Sequence, residues 1–445
     1  MLRLTTLKDR LLAVIVASFT LRIIGLFLLP RTPSFLGPDE WTYGAVADWT
    51  EQGLPAKEFP LFGEGLYLSA RAFIWPATLF NQLGINPLYA VRLTAAIYGL
   101  LTLSLMVFVF LKTIEKQVVF ADYVERNNKL TITLFMVFAF LPSHFTWSLL
   151  GLRESVAEFW TLSAFASLYW IFHLHKRLSF RAIFLLIASI IFAFSSRPQV
   201  GWLIGITFLI FLLINIRKRI ALALIPIVLI SIVLGFTGTT GTTGTTGTTG
   251  TTGTTGVIAS TGSKIFGSLK TAAELTAYKH EVNKLGSASV ISTQSCPFEE
   301  LGNDNRARFV GYLSNAPTSF DTYFCIVWRA PYMAATFLFR PLIGIDTTST
   351  SSLFASIENI AWLCAFIFIV VMLIRKRRLA FLGPLAPSLI FFTLYAVGAG
   401  SYEGNMGTAF RHKSLILWVV LLLVGSVVAA RKRPNPGNES VQKAV

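Results

Sequence analysis

Charge is the scarcest commodity in this chain. Only 13% of its 445 residues are Asp, Glu, Lys or Arg, about half the share of an ordinary soluble domain. A soluble protein of this length needs far more polar surface, so a soluble enzyme and a disordered protein are both excluded. Cysteine is almost absent, with three residues, which excludes a disulfide-built secreted scaffold. No Cys/His set has zinc-ligand spacing. There is neither a Walker loop nor a G-x-G-x-x-G that follows a strand pattern. Apolar residues fill the space that charge leaves: they make up 54% of the chain, with 38 Phe, 12 Tyr and 10 Trp, and the mean hydropathy is +0.64. The composition predicts an all-α, polytopic integral membrane protein.

A helix that crosses a bilayer needs about 20 mostly apolar residues. Ten stretches meet or approach that length: 11–29, 89–111, 130–150, 154–172, 182–196, 199–216, 220–236, 353–374, 379–397 and 414–430. The fifth and sixth are short and share a break at Arg197-Pro198. The first lacks a small-residue cleavage site and reads as a retained span. The organisation expected is a transmembrane module over 1–236, an extracytoplasmic loop over 237–352, C-terminal transmembrane helices over 353–430 and a cytoplasmic tail over 431–445.

The net charge of +16 is distributed unevenly across these stretches. Alternate segments (the N-terminus, 112–129, 173–181, 217–219, 375–378 and the tail) hold 21 of the 38 Lys and Arg but five of the 22 acids. That is the positive-inside pattern, and it places both termini in the cytoplasm of a cell membrane. Topology accounts for the charge, so no nucleic-acid partner is expected. The outer segment after 236 begins with six Thr-Thr-Gly repeats, 239–256; without proline they read as a flexible polar linker rather than a collagen helix. The stretch 323–342 is apolar but interrupted by Arg329, Pro331, Arg340 and Pro341, and reads as helices on the outer membrane surface. Cys364 falls inside a span, where packing is expected. Cys296 and Cys325 share the outer segment and could pair.

Polar groups near a membrane are costly, so their concentration at one face is informative. Four outer segments carry them: Gly37-Pro38-Asp39-Glu40-Trp41-Thr42-Tyr43, Gly151-Leu152-Arg153-Glu154-Ser155, Ser196-Arg197-Pro198-Gln199, and Gly404 to Lys413, which includes Arg411, His412 and Lys413. Asp39 and Glu40 fit two roles at once. As N-cap and first-turn acid they start a helix whose face carries Trp41, Ala45 and Trp49 and which stops at Gly53 and Pro55. As a catalytic pair, Asp39 is a general base that Glu40 orients. Arg153, Arg197 and Arg411 either anchor helix ends by snorkelling or fork onto a phosphate, the shape guanidinium matches best. Glu154, Gln199, His412 and Lys413 are candidate substrate contacts; the last two also suit lipid headgroups. Arg22 is the clear charge inside a span. Asp39 and Glu40 could ligate Mg²⁺ or Mn²⁺; no other cofactor is indicated.

The order of features resembles a known family. A first span is followed by Asp39-Glu40-Trp41-Thr42-Tyr43 at the start of a surface helix. Gly65-Leu66-Tyr67 then leads into an apolar stretch, and Gly84-Ile85-Asn86-Pro87 with Arg92-Leu93 opens the next span. Over residues 11–111 this resembles the N-terminal module of GT-C glycosyltransferases, the membrane superfamily that includes protein O-mannosyltransferases, aminoarabinose transferases and the bacterial RgtA/B/C/D-like enzymes. The resemblance implies transfer of a sugar from a polyprenyl-phosphate donor to a glycan or lipid-linked acceptor on the extracytoplasmic face, with the acid matching Asp39 as base or acceptor-binding carboxylate. Phe339-Arg340-Pro341-Leu342 and Glu358-Asn359 are similar to segments of bacterial surface-polysaccharide membrane proteins. The donor-phosphate role for Arg153, Arg197 and Arg411 comes from topology, not from a motif. The rival expectations are a lipid-linked glycan polymerase or ligase, a polysaccharide transporter or flippase, and a non-catalytic envelope scaffold.

Overall fold

The computed structural model describes residues 2–32, 39–60, 63–116, 128–175, 178–239, 320–346, 350–376, 385–403 and 406–430. Among these residues the chain is helical and has no strand. In chain order the helices are α1 Leu2–Leu28, α2 Glu40–Glu51, a 3-10 turn Ala56–Glu58, α3 Gly63–Gln82, α4 Pro87–Lys116, α5 Asn128–Phe140, α6 Pro142–Trp147, α7 Glu154–Tyr169 running into a π turn Trp170–His175, α8 Phe180–Ser196, α9 Pro198–Ile214, α10 Arg219–Thr239, α11 Phe320–Phe339, α12 Thr350–Lys376, α13 Ala386–Tyr402 and α14 Met406–Ala430. Four contain segments long and apolar enough to cross a membrane: Leu7–Leu28, Pro87–Lys112, Ser352–Val371 and Gly407–Val424. Five shorter apolar helices accompany them. The chain is an α-helical membrane-associated protein.

The described residues fall into two compact units. The first comprises Met1–Thr239, Trp362–Phe391 and Ser414–Val445; the second comprises Thr240–Ala361 and Phe392–Lys413.

In the first unit, α7 packs against α4 and α8, α8 against α3, α9 and α10, and α1 against α4 and α5. The small buried residues Ala157, Ala164 and Ala166 let α7 sit at the centre. Phe165 meets Phe208 edge-on at 5.0 Å and Trp418 at 5.4 Å. Helix α2 lies on α3 and α4, fixed by the edge contact of Tyr43 with Phe73 at 5.2 Å, worth about 0.5–1.5 kcal/mol beyond burial. Thr78 Oγ1 donates to the Ala47 carbonyl at 3.3 Å and Asn81 Nδ2 to Glu51 Oε2 at 2.5 Å.

Several expectations are corrected. The stretch 130–150 is not one rod: α5 ends at Phe140, Leu141 is extended with φ −58° and ψ 127° as the crowding of a following proline ring favours, and α6 starts at Pro142 with proline at its first position. The stretch 323–342 is less broken than expected; α11 runs through Pro331 and ends at Phe339. The buried face of α2 is Glu40, Tyr43, Gly44, Val46 and Ala47, whereas Trp41 is 65% exposed. Cys364 is exposed rather than packed. Cys296, the Cys325 side chain, residues 240–256, Gly37-Pro38, Gly404-Asn405 and the tail after 430 lie outside the described residues and side chains.

Candidate functional site

Helix α2 begins where Asp39 was expected to cap it. The Asp39 carbonyl accepts from the Tyr43 N–H at 3.1 Å. Its side chain makes no capping bond and is exposed. Its neighbour is the reverse. Glu40 is fully buried, and its Oε2 accepts from Arg92 Nε at 2.9 Å and Nη2 at 2.6 Å. Arg92, on the second turn of α4, also donates to the carbonyls of Pro30 at 2.7 Å and Thr32 at 3.0 Å. One guanidinium therefore ties the segment leaving α1 to the start of α2. Helix α4 itself starts at Asn86-Pro87, where Asn86 Oδ1 accepts the Leu88 N–H at 3.1 Å, a side-chain cap.

The turn before α7 rests on the same arginine. A Cβ built on Gly151 would lie 2.5 Å from Val91 Cγ2 and 3.3 Å from the Arg92 nitrogen, so only glycine allows this approach. The next residues hold the two charges singled out in the sequence. Arg153 is half-buried and its Nη1 reaches the carbonyl and hydroxyl of Ser69 on α3, at 3.3 and 3.2 Å, next to a kink at Ala70. Glu154 opens α7, and its Oε1 accepts from Arg197 Nη2 at 2.5 Å; both side chains are buried. Arg197 is extended, with φ −155° and ψ 100°, between α8 and α9. Gln199 is exposed.

Three of the four polar segments thus lie in the first unit: Glu40 is held by the Arg92 side chain, Gly151 packs on Val91 and the Arg92 backbone, and Arg197 pairs with Glu154. Sequence reading missed Arg92 as a site residue, as well as Ser69. It also passed over Glu158, one turn along α7 from Glu154. Arg22 is therefore not the lone interior charge: Glu158 Oε2 meets His144 Nδ1 at 3.0 Å, with side-chain exposures of 3% and 2%. The Glu-x-x-x-Glu spacing at the start of an apolar stretch was the available signal.

The fourth segment belongs to the second unit. Lys413 is fully buried; its Nζ donates to Asn359 Oδ1 at 3.0 Å and to the Arg340 carbonyl. Asn359 Nδ2 in turn donates to the Pro341 carbonyl at 3.0 Å. Arg340 Nε donates to Asp346 Oδ2 at 3.0 Å, and Asp346 also accepts the Leu342 N–H at 2.8 Å. His412 pairs with buried Glu403. Arg411 is half-buried. The two segments flagged by resemblance, Arg340-Pro341-Leu342 and Glu358-Asn359, thus share a cluster with Lys413, and Asp346 is the residue not anticipated. Burial pushes the Asp346 carboxyl up, but the Arg340 guanidinium and the Leu342 N–H outweigh it and hold it below the usual carboxylate value. A depressed carboxyl contributes stability above its unfolded value of about 4, lost as pH falls through the folded value. Acid titration in detergent should therefore lower the unfolding midpoint of the wild-type chain more than that of Asp346→Asn. At neutral pH the variant should be less stable by about 1.5–3 kcal/mol, the worth of a charge-assisted hydrogen bond.

No three His, Cys, Asp or Glu side chains gather as a metal-ligating group among the described residues. No family model, curated protein or solved structure matches the chain.

Proposed function

We propose that the chain is a membrane glycosyltransferase of GT-C type. In this reading it moves a sugar from a polyprenyl-phosphate donor to an acceptor hydroxyl on the extracytoplasmic face, in cell-surface glycan synthesis. One observation carries the reading. An exposed carboxylate, Asp39, stands on a helix start pinned by Glu40 and Arg92, and the same compact unit holds two further guanidiniums, Arg153 on Ser69 and Arg197 on Glu154. About ten membrane crossings with cytoplasmic termini belong to the proposal and rest on the charge asymmetry.

The chemistry assigned to these residues is an inverting displacement. The acceptor oxygen attacks the anomeric carbon, its proton passes to the Asp39 carboxylate, and the bond from the anomeric carbon to the phosphate oxygen breaks. The donor is a phosphate diester with one negative charge; the departing polyprenyl phosphate gains more. Arg153 and Arg197 are therefore attracted more strongly as the reaction proceeds, which is how a charged site lowers a barrier. Glu154 keeps Arg197 oriented. Arg411 lies in the second unit; within the first unit the phosphate role is assigned to Arg153 and Arg197. Mg²⁺ or Mn²⁺, if used, would meet Asp39 rather than Glu40, whose carboxylate Arg92 already holds.

The test is transfer by the purified full chain in proteoliposomes supplied with polyprenyl-phosphate-linked mannose, glucose or arabinose and a lipid-linked glycan acceptor. Addition of a single sugar is the expected product. A ladder of chain lengths would identify a polymerase instead, and donors left intact in all three cases would sink the proposal. A transporter or flippase is the second reading, favoured by one observation: Arg22, His144 and Glu158 are ionisable groups buried among apolar helices. It predicts movement of a lipid-linked glycan across the vesicle without a new glycosidic bond.

A further inference from the structure

The interior charges of the first unit are used by none of the steps above. Arg22, on α1, is 1% exposed and lies among apolar residues. Its Nε donates to Ser148 Oγ at 2.8 Å, another nitrogen meets Ser18 Oγ, and its guanidinium stands 4.9 Å above the Phe145 ring. Glu158, on α7, is the carboxylate whose charge acts on it. His144, on α6, joins Glu158 at 3.0 Å and stacks on Phe138 at 4.4 Å. Each of these three buried side chains also has an atom with no hydrogen-bond partner among the described residues: Arg22 Nη2, His144 Nε2 and Glu158 Oε1. Two or more unpaired buried polar atoms of opposite character are what an internal water satisfies.

We propose that Arg22, His144 and Glu158 form a buried proton-binding site, whose ligands are one exchangeable proton and a bridging water. With Arg22 charged, Glu158 ionised and His144 neutral, the group carries no net charge, the cheapest state for an apolar interior. Uptake of a proton converts the imidazole to imidazolium. The Nδ1–H then donates to Glu158, and the unpaired Nε2 takes the added proton and points it at water. Of the neighbouring titratable groups, Tyr98 from α4 packs on Phe159, the residue after Glu158, at 5.4 Å, and Glu154, one turn back on α7, is already joined to Arg197. A neutral Glu154–Arg197 pair leaves the balance at Glu158 unchanged. The inference does not depend on sugar transfer, and it would equally serve a proton-linked carrier.

The experiment is solid-state NMR of the full-length chain, ¹⁵N-labelled at histidine, in phosphatidylethanolamine–phosphatidylglycerol bilayers, titrated from about pH 5 to about pH 9, the range in which imidazole changes charge. His144→Gln identifies the His144 signal by difference. The expected result is reversible conversion between neutral and cationic imidazole at that signal, with the midpoint moved by at least one pH unit in Glu158→Gln and unmoved in Asp39→Asn. A single protonation state across the range, or a midpoint indifferent to Glu158, overturns the proposal. Should the Gln variants not fold, Glu158→Asp retains the charge and lengthens the contact; any histidine titration that it fails to move is not that of this site.

Discussion

Replacing Asp39 by Asn should lower the rate of sugar transfer by about 10²–10⁴, the usual contribution of a positioned general base, without altering the fold. The side chain is exposed and makes no capping bond, and the amide keeps its size and shape. The loss should appear in kcat, with the donor KM close to wild type, because the donor phosphate is assigned to Arg153 and Arg197. Single-turnover transfer in bilayers measures the chemical step directly. A variant that is fully folded and fully active would remove Asp39 from the mechanism and favour the polymerase or ligase reading, which needs no acid there.

The largest effect on stability should come from Arg92→Met. Its guanidinium is fully buried, paired with an equally buried Glu40, and also holds the Pro30 and Thr32 carbonyls. Taking away one partner leaves a carboxylate stranded in a low-dielectric place, a change that costs about 3–5 kcal/mol. Glu40→Gln should cost less, since a neutral amide can still accept from Arg92 and the Arg92 bonds to the two carbonyls remain. The double change Glu40→Leu with Arg92→Met should recover part of the loss, because neither charge then stays behind. Unfolding midpoints in detergent for the four chains test this order, and equal stability of Arg92→Met and wild type would contradict it. Transfer should fall in Arg92→Met even where the chain stays folded, because the segment carrying Asp39 loses its tether.

Local signals in the sequence were read well where one residue decides the backbone. Gly53, with φ +73°, closes α2 where glycine was expected to stop it, and Pro198 separates α8 from α9 at Arg197. Asn86-Pro87 opens α4 as the pattern suggested. Positions that depend on a partner far along the chain were not readable. Glu40 looked like a helper to Asp39, and only the approach of α4, 52 residues later, makes it the counter-charge of Arg92. Lys413 looked like a headgroup contact, yet it is enclosed by a turn and a helix that supply two acceptors. Proline carried less information than expected: Pro142 stands at a break between two helices, while Pro331 sits inside one. Whether a proline breaks a helix depends on what satisfies the freed carbonyl, which sequence spacing does not contain.

The approach of the 151–154 turn to α4 sets a limit of its own. With under 3 Å between the place a first side-chain carbon would occupy at 151 and the Val91 methyl, the clearance is smaller than one methyl group. Even alanine would act there as a wedge, prising Arg153 and Glu154 away from the level at which they meet Ser69 and Arg197. The spacing among these charges is thus governed partly by an uncharged position, and by the volume it leaves empty.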